Sequence, residues 1–153
     1  MRFNTIRGLL VAALIACLPG LSPADEPVVL DLGAYEGKVV VVDFWASWCV
    51  PCRRSFPWMN EMTTKYGDDG LVFIGINVDA VRADAEAFLA DYPAEFRIMY
   101  DDPARTLARE FEVMAMPTSY IFDRTGSQVG RHLGFKVLKQ DEYEALIVET
   151  LNR

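Results

Sequence analysis

Val39-Val40-Val41-Val42-Asp43-Phe44-Trp45-Ala46-Ser47-Trp48-Cys49-Val50-Pro51-Cys52 is the stretch on which the fold turns. Its first seven residues are β-branched or aromatic apart from one acid, the pattern of a central strand covered on both faces. Its last four place two thiols three positions apart. After a buried strand, that spacing lets a disulfide close at the start of the following helix. There the unbonded backbone N–H groups and the positive end of the helix dipole favour a thiolate over a thiol. A thiolate is the species that attacks disulfides, so the segment reads as a thiol–disulfide exchange site.

Working outward, Cys52 to Tyr66 has helical spacing, with Pro57 inside it and Gly67 to Gly70 ending it. Leu71 to Val78 reads as a second buried strand. Asp79 to Tyr92 reads as an amphipathic helix with Ala85, Phe88, Leu89 and Tyr92 on one face. Phe96 to Tyr100 is a short strand, and Asp102-Pro103 starts a helix running through Phe111. Thr118 to Phe122 and Gln128 to Leu133, joined through Arg124-Thr125-Gly126, form a hairpin. Gln140 to Leu151 closes the chain as a helix with Tyr143, Leu146, Ile147 and Leu151 inward. Upstream, Val28-Val29-Leu30 reads as a further short strand, with turns at Gly33 and Gly37. Alternating strands and helices followed by a hairpin predict a mixed sheet with helices on both faces. The cysteine pair then falls at the carboxyl end of a central strand, where open α/β sheets place their sites.

The chain has 153 residues, 52% hydrophobic, with a formal net charge of −7. That is enough for one domain with a real core, and no basic cluster points to nucleic acid. Residues 1–24 read as an export signal: Arg2 and Arg7 precede the apolar run Gly8 to Leu18, which is short for a membrane span. Two endings compete. Ser22-Pro23-Ala24 supports a cut before Asp25. Leu14-Ile15-Ala16-Cys17 supports a lipoprotein signal that leaves Cys17 as a lipid-anchored N-terminus. With the first ending, the domain is residues 25–153. Thirteen basic residues then face 22 acidic ones, a net charge of −9. Either ending leaves Cys49 and Cys52 as the only cysteines free for thiol chemistry. A pair this close constrains the unfolded chain little, so its value is chemical.

The segment Val42 to Cys52 closely resembles the thioredoxin active site. Met116-Pro117-Thr118, with Pro117 65 positions after Cys52, is similar to the thioredoxin cis-proline loop. The export signal and the longer middle section resemble the TlpA-like periplasmic disulfide reductases. These carry an extra strand and helix before the cis-proline strand, which residues 79–101 fit. The resemblance covers roughly residues 28–151 and implies an α/β thioredoxin-like fold. Cys49 is the expected nucleophile and Cys52 the resolving thiol, with Pro51 stiffening the loop between them. By the resemblance, Asp43 takes the proton of Cys52, a cis Met116–Pro117 bond faces the disulfide, and the Met116 backbone pairs with substrate. Trp48 is expected on the substrate surface and Trp45 in packing around Asp43. Arg53 and Arg54 read equally as electrostatic support for Cys49 or as a solvated helix start.

These residues imply a periplasmic thiol–disulfide oxidoreductase that needs no organic cofactor and binds no metal. Its partners are disulfide-containing exported proteins and a membrane thiol that supplies electrons, and the domain is expected to be a monomer. An oxidase or isomerase of the same fold is the rival enzyme reading. Copper delivery through the two thiols is the rival binding reading. A zinc site lacks further soft ligands, since His132 stands alone on a strand and reads as a surface or packing residue. A peroxidase reading lacks a second peroxidatic motif.

Overall fold

The computed structural model describes residues 28–153; the export-signal reading and Cys17 lie outside them. Five strands, β1 (Val39–Trp45), β2 (Leu71–Asn77), β3 (Arg97–Tyr100), β4 (Thr118–Phe122) and β5 (Gln128–Leu133), form one sheet in the order β3-β2-β1-β4-β5. β1 pairs in parallel with β2 and antiparallel with β4. β2 pairs in parallel with β3, and β4 antiparallel with β5. Every residue of β1 is buried, as a strand at the centre of a sheet with both faces covered must be.

Four helices cover the sheet: α1 (Cys52–Tyr66), α2 (Arg82–Asp91), α3 (Thr106–Glu110) and α4 (Gln140–Leu151). The aromatic contacts assign their sides. Trp45 of β1 packs on Phe56 of α1 and Phe88 of α2, and Trp58 of α1 meets Phe73 of β2 and Tyr143 of α4. These three helices therefore share one face. Phe44, Tyr120 and Phe122 point the opposite way and meet Phe111, just after α3. The alternation is the two-residue period of a strand. Both parallel pairs, β1–β2 and β2–β3, step in the same direction across the sheet. With the usual crossover hand, both connecting helices then fall on the same side.

Three local readings change. Val28 to Leu30 is not a strand: the segment leads into a short 3₁₀ turn, Leu32–Tyr35, started by Asp31 Oδ1 accepting from Gly33 N at 2.9 Å. β1 is already bonded along both edges, so it leaves no place for an N-terminal partner. The helix predicted from Asp79 starts at Arg82, because Asp79 is committed elsewhere, as described below. The helix predicted from Pro103 starts at Thr106. Its free N–H groups are taken by two carboxylates ahead of it: Asp102 accepts from Thr106 at 3.0 Å, and Asp101 from Leu107 at 3.0 Å and Ala108 at 2.8 Å.

Candidate active site

β1 ends at Trp45, and after six intervening residues α1 begins at Cys52. Within that turn Cys49 and Cys52 are joined as a disulfide, with Cα atoms 5.3 Å apart. The Cys52 N–H donates to Cys49 Sγ at 3.2 Å. The same N–H also donates to the Cys49 carbonyl at 3.1 Å; it belongs to the first residue of the helix and has no partner within it. Once the bond is reduced, the same N–H and the dipole of a fifteen-residue helix favour negative charge on Cys49. No acidic residue lies in the first turn of α1 to oppose this. Cys49 retains 3% exposure and Cys52 none, so Cys49 is the more accessible of the two sulfurs. Its neighbours Trp48 and Val50 are 60% and 56% exposed, which sets the disulfide in an apolar collar. Pro51 precedes the helix in α conformation, and its carbonyl accepts from Arg54 and Ser55. Arg53 and Arg54 are exposed.

Asp43 is buried in the middle of β1, with 1% exposure. It lies two residues before Trp45 and so projects from the face covered by α1. Cys52 and Phe56 are one turn apart in α1, and Phe56 touches Trp45. The acid and the inner cysteine are thus on facing surfaces of β1 and α1. Asp43 Oδ1 accepts from Ser119 Oγ at 2.5 Å, and Oδ2 has no partner among the described residues. Burial pushes the Asp43 carboxyl up to about 7, against a lesser opposing pull from the Ser119 hydroxyl. Such a group can take or release a proton near neutral pH.

The strand registers explain the setting of Asp43. Gly75, Asp43, Ser119 and His132 lie opposite one another in a row across β2, β1, β4 and β5. Gly75 has no side chain because the Trp45 indole fills that place: a Cβ there would lie 3.1 Å from Trp45 Nε1. At the other end His132 packs on Tyr143, with ring centroids 4.6 Å apart, and partial burial holds its imidazole below the usual value. His132 is a packing residue.

Two positioning residues escape sequence reading. Ser119 is the hydrogen-bond donor to Asp43. Asp79 anchors the turn that carries the cysteines: its carboxylate accepts from Ser47 N at 2.8 Å, Ser47 Oγ at 3.0 Å and Asn77 Nδ2 at 2.8 Å. The turn is thereby tied to the end of β2.

The Met116–Pro117 bond is cis. Phe44 pairs with Thr118, so the next step along the antiparallel register brings Pro117 level with Trp45 and Met116 level with Ala46. The loop therefore lies at the end of the sheet that carries the cysteines. Neither the N–H nor the carbonyl of Met116 is hydrogen-bonded to another described residue. Among the described residues, no cluster of three or more His, Cys, Asp and Glu is placed to hold a metal ion, and no helix is long and apolar enough to cross a membrane.

The AhpC/TSA family pattern matches residues 22–127. The chain belongs to the AhpC/TSA family. Among its relatives, the thiol–disulfide oxidoreductase ResA of Bacillus cereus is 29% identical over 113 residues, 74% of this chain and 65% of that protein. The thioredoxin-like protein YneN of Bacillus subtilis is 32% identical over 110 residues, 70% of this chain and 63% of that protein. The chain thus spans slightly under two thirds of the length of these relatives. A crystal structure from Chlorobium tepidum, described as a thiol:disulfide interchange protein DsbE, superimposes with a TM-score of 0.75 at 44% identity, covering 78% of this chain and 84% of that one. The fold of this family member is thioredoxin-like. β3 and α2 form the added strand and helix between the cysteine-bearing helix and the proline loop.

Proposed function

We propose that this domain is a thiol–disulfide oxidoreductase that reduces disulfides in exported proteins. The observation that carries the proposal is the Cys49–Cys52 disulfide at the start of α1, with the Cys52 N–H on Cys49 Sγ and the buried Asp43 beneath the helix. In the reduced protein the Cys49 thiolate attacks one sulfur of a substrate disulfide. The substrate S–S bond breaks, a Cys49–substrate disulfide forms, and the other substrate sulfur leaves as a thiolate. Cys52 gives its proton to the Asp43 carboxylate and attacks Cys49 Sγ. The second substrate sulfur leaves, and Cys49–Cys52 is the product disulfide. The two electrons come from the dithiol, so the cycle needs an outside thiol to restore it. A membrane thiol donor fits that need. The exposed Trp48 and the free backbone of Met116 support binding of an extended substrate segment.

The setting is the periplasm, on the strength of residues 1–24: basic residues, an apolar run and small residues before Asp25, with an anchor at Cys17 as the alternative. The domain acts as a monomer. The test is reduction of insulin with dithiothreitol as donor, followed by turbidity. Wild type catalyses precipitation, and Cys49→Ser reduces the rate to background. An active Cys49→Ser variant overturns the assignment of the nucleophile.

A further inference from the structure

Beside Met116 lies a groove of about 550 Å³ whose wall is formed by Arg105, Arg109, Glu112, Met114, Met116 and Arg131. Three features separate it from the rest of the surface. First, its charge is inverted: three guanidinium groups face one carboxylate in a chain whose net charge is −7. Second, one of its basic side chains is held in place. Arg131 donates to the Glu112 carbonyl at 3.0 Å and lies 5.3 Å from the centre of the Tyr120 ring. The Tyr120 hydroxyl in turn donates to the Phe111 carbonyl. Third, among the described residues only Arg105 (φ 55°) and Glu112 (φ 51°) are non-glycine residues in the left-handed region, and both line this groove. That conformation costs free energy for such residues, and it persists where the surroundings impose it. Here the two residues bracket α3.

We propose that this groove selects the substrate of the exchange reaction: an extended segment with an acidic side chain within a few residues of its reactive cysteine. The proposal rests on the oxidoreductase reading above. The groove adjoins Met116, whose free N–H and carbonyl can pair with an extended chain. Such a chain advances about 3.3 Å per residue, so a side chain a few positions from the cysteine reaches the arginines. A carboxylate suits their planar donors, which can grip it in pairs. Met114, 86% exposed, and Met116 offer adaptable apolar contact to its neighbours.

The test uses the Cys52→Ser variant and short peptides with one cysteine, each presented as its mixed disulfide with thionitrobenzoate. The Cys49 thiolate attacks the peptide sulfur, the existing S–S bond breaks, and thionitrobenzoate leaves as the coloured anion. Peptides with Glu, Gln or Lys flanking the cysteine are compared. The proposal predicts that Glu reacts faster than Gln by about two- to fivefold per ion pair formed, with Lys slowest. The difference should shrink toward about 1 M salt, where the Debye length is about 3 Å. The net charge of the domain alone gives the opposite order. In the Arg105→Gln/Arg109→Gln background the Glu-to-Gln rate ratio should fall toward one. Equal rates, a faster Lys peptide, or a ratio unchanged in that background overturns the groove while leaving the redox reading intact. Release of no thionitrobenzoate from any peptide overturns both.

Discussion

Replacing Asp43 by Asn tests the buried acid without changing its shape. In the folded protein the carboxyl titrates near 7, raised from 3.8. Between these values the unfolded chain has lost its proton while the folded chain keeps it. Stability therefore falls as pH rises through this window and levels off above about 7. Linkage puts the loss between about pH 5 and about pH 8 at roughly 2–3 kcal/mol, part of a full ionisation cost of about 4 kcal/mol. Asn cannot ionise. Its carbonyl can still accept from Ser119, but its NH2 enters the place where Oδ2 has no partner, at a cost of about 1–3 kcal/mol at every pH. The assay is urea unfolding of both oxidised proteins across this pH range. The difference between variant and wild type should move by about 2–3 kcal/mol in favour of Asn as pH rises, because other titrating groups are common to both proteins. Parallel curves would refute the raised pKa and remove Asp43 as a base for Cys52. The same variant should slow resolution of the Cys49 mixed disulfide.

Further outcomes follow from the other contacts. Cys52→Ser should accumulate mixed disulfides through Cys49, visible as adducts on non-reducing gels; adducts through Cys52 in the Cys49→Ser variant instead, with none in Cys52→Ser, would reverse the order of attack. Ser119→Ala removes the hydroxyl that opposes the effect of burial, so the Asp43 midpoint should rise above about 7, as read by carboxyl NMR. An unmoved midpoint would show that this hydrogen bond does not reach the charged form. Asp79→Ala frees Ser47 and should destabilise the oxidised protein by about 2–3 kcal/mol in urea melts, with Asp79→Asn recovering part of it; an unchanged midpoint would release the cysteine turn from its anchor.

The parts of the fold that depend on long apolar runs were legible in the chain. β1 and α1 have the bounds read for them, because an unbroken β-branched run and a helix between Pro51 and Gly67 leave little choice. What was not legible depends on partners distant in sequence. Ser119 looks like an ordinary polar strand residue until the register sets it opposite Asp43, 76 positions earlier. Asp79 reads as a helix start by local rules, but its carboxylate binds Ser47, 32 positions back. Val28 to Leu30 has strand composition and no free strand edge to join at the centre of the sheet. The signal for Asp79 was present in outline: an Asn-x-Asp sequence leaving a buried strand, with too many polar groups for a plain helix cap. Nothing local marked Ser119. The arginine groove is likewise assembled from Arg105, Arg109 and Arg131, with β4 and its loop between them in sequence.

If the Cys49–Cys52 pair gives electrons to substrates, its reduction potential must lie on the reducing side. The protein is equilibrated with dithiothreitol buffers of graded ratio, and the reduced fraction is read by Trp fluorescence and by alkylation of free thiols. For a reductase the expected value is close to that of thioredoxin, roughly −270 mV. A value near that of the strong oxidant DsbA, roughly −120 mV, would contradict it and make the domain a donor of disulfides instead.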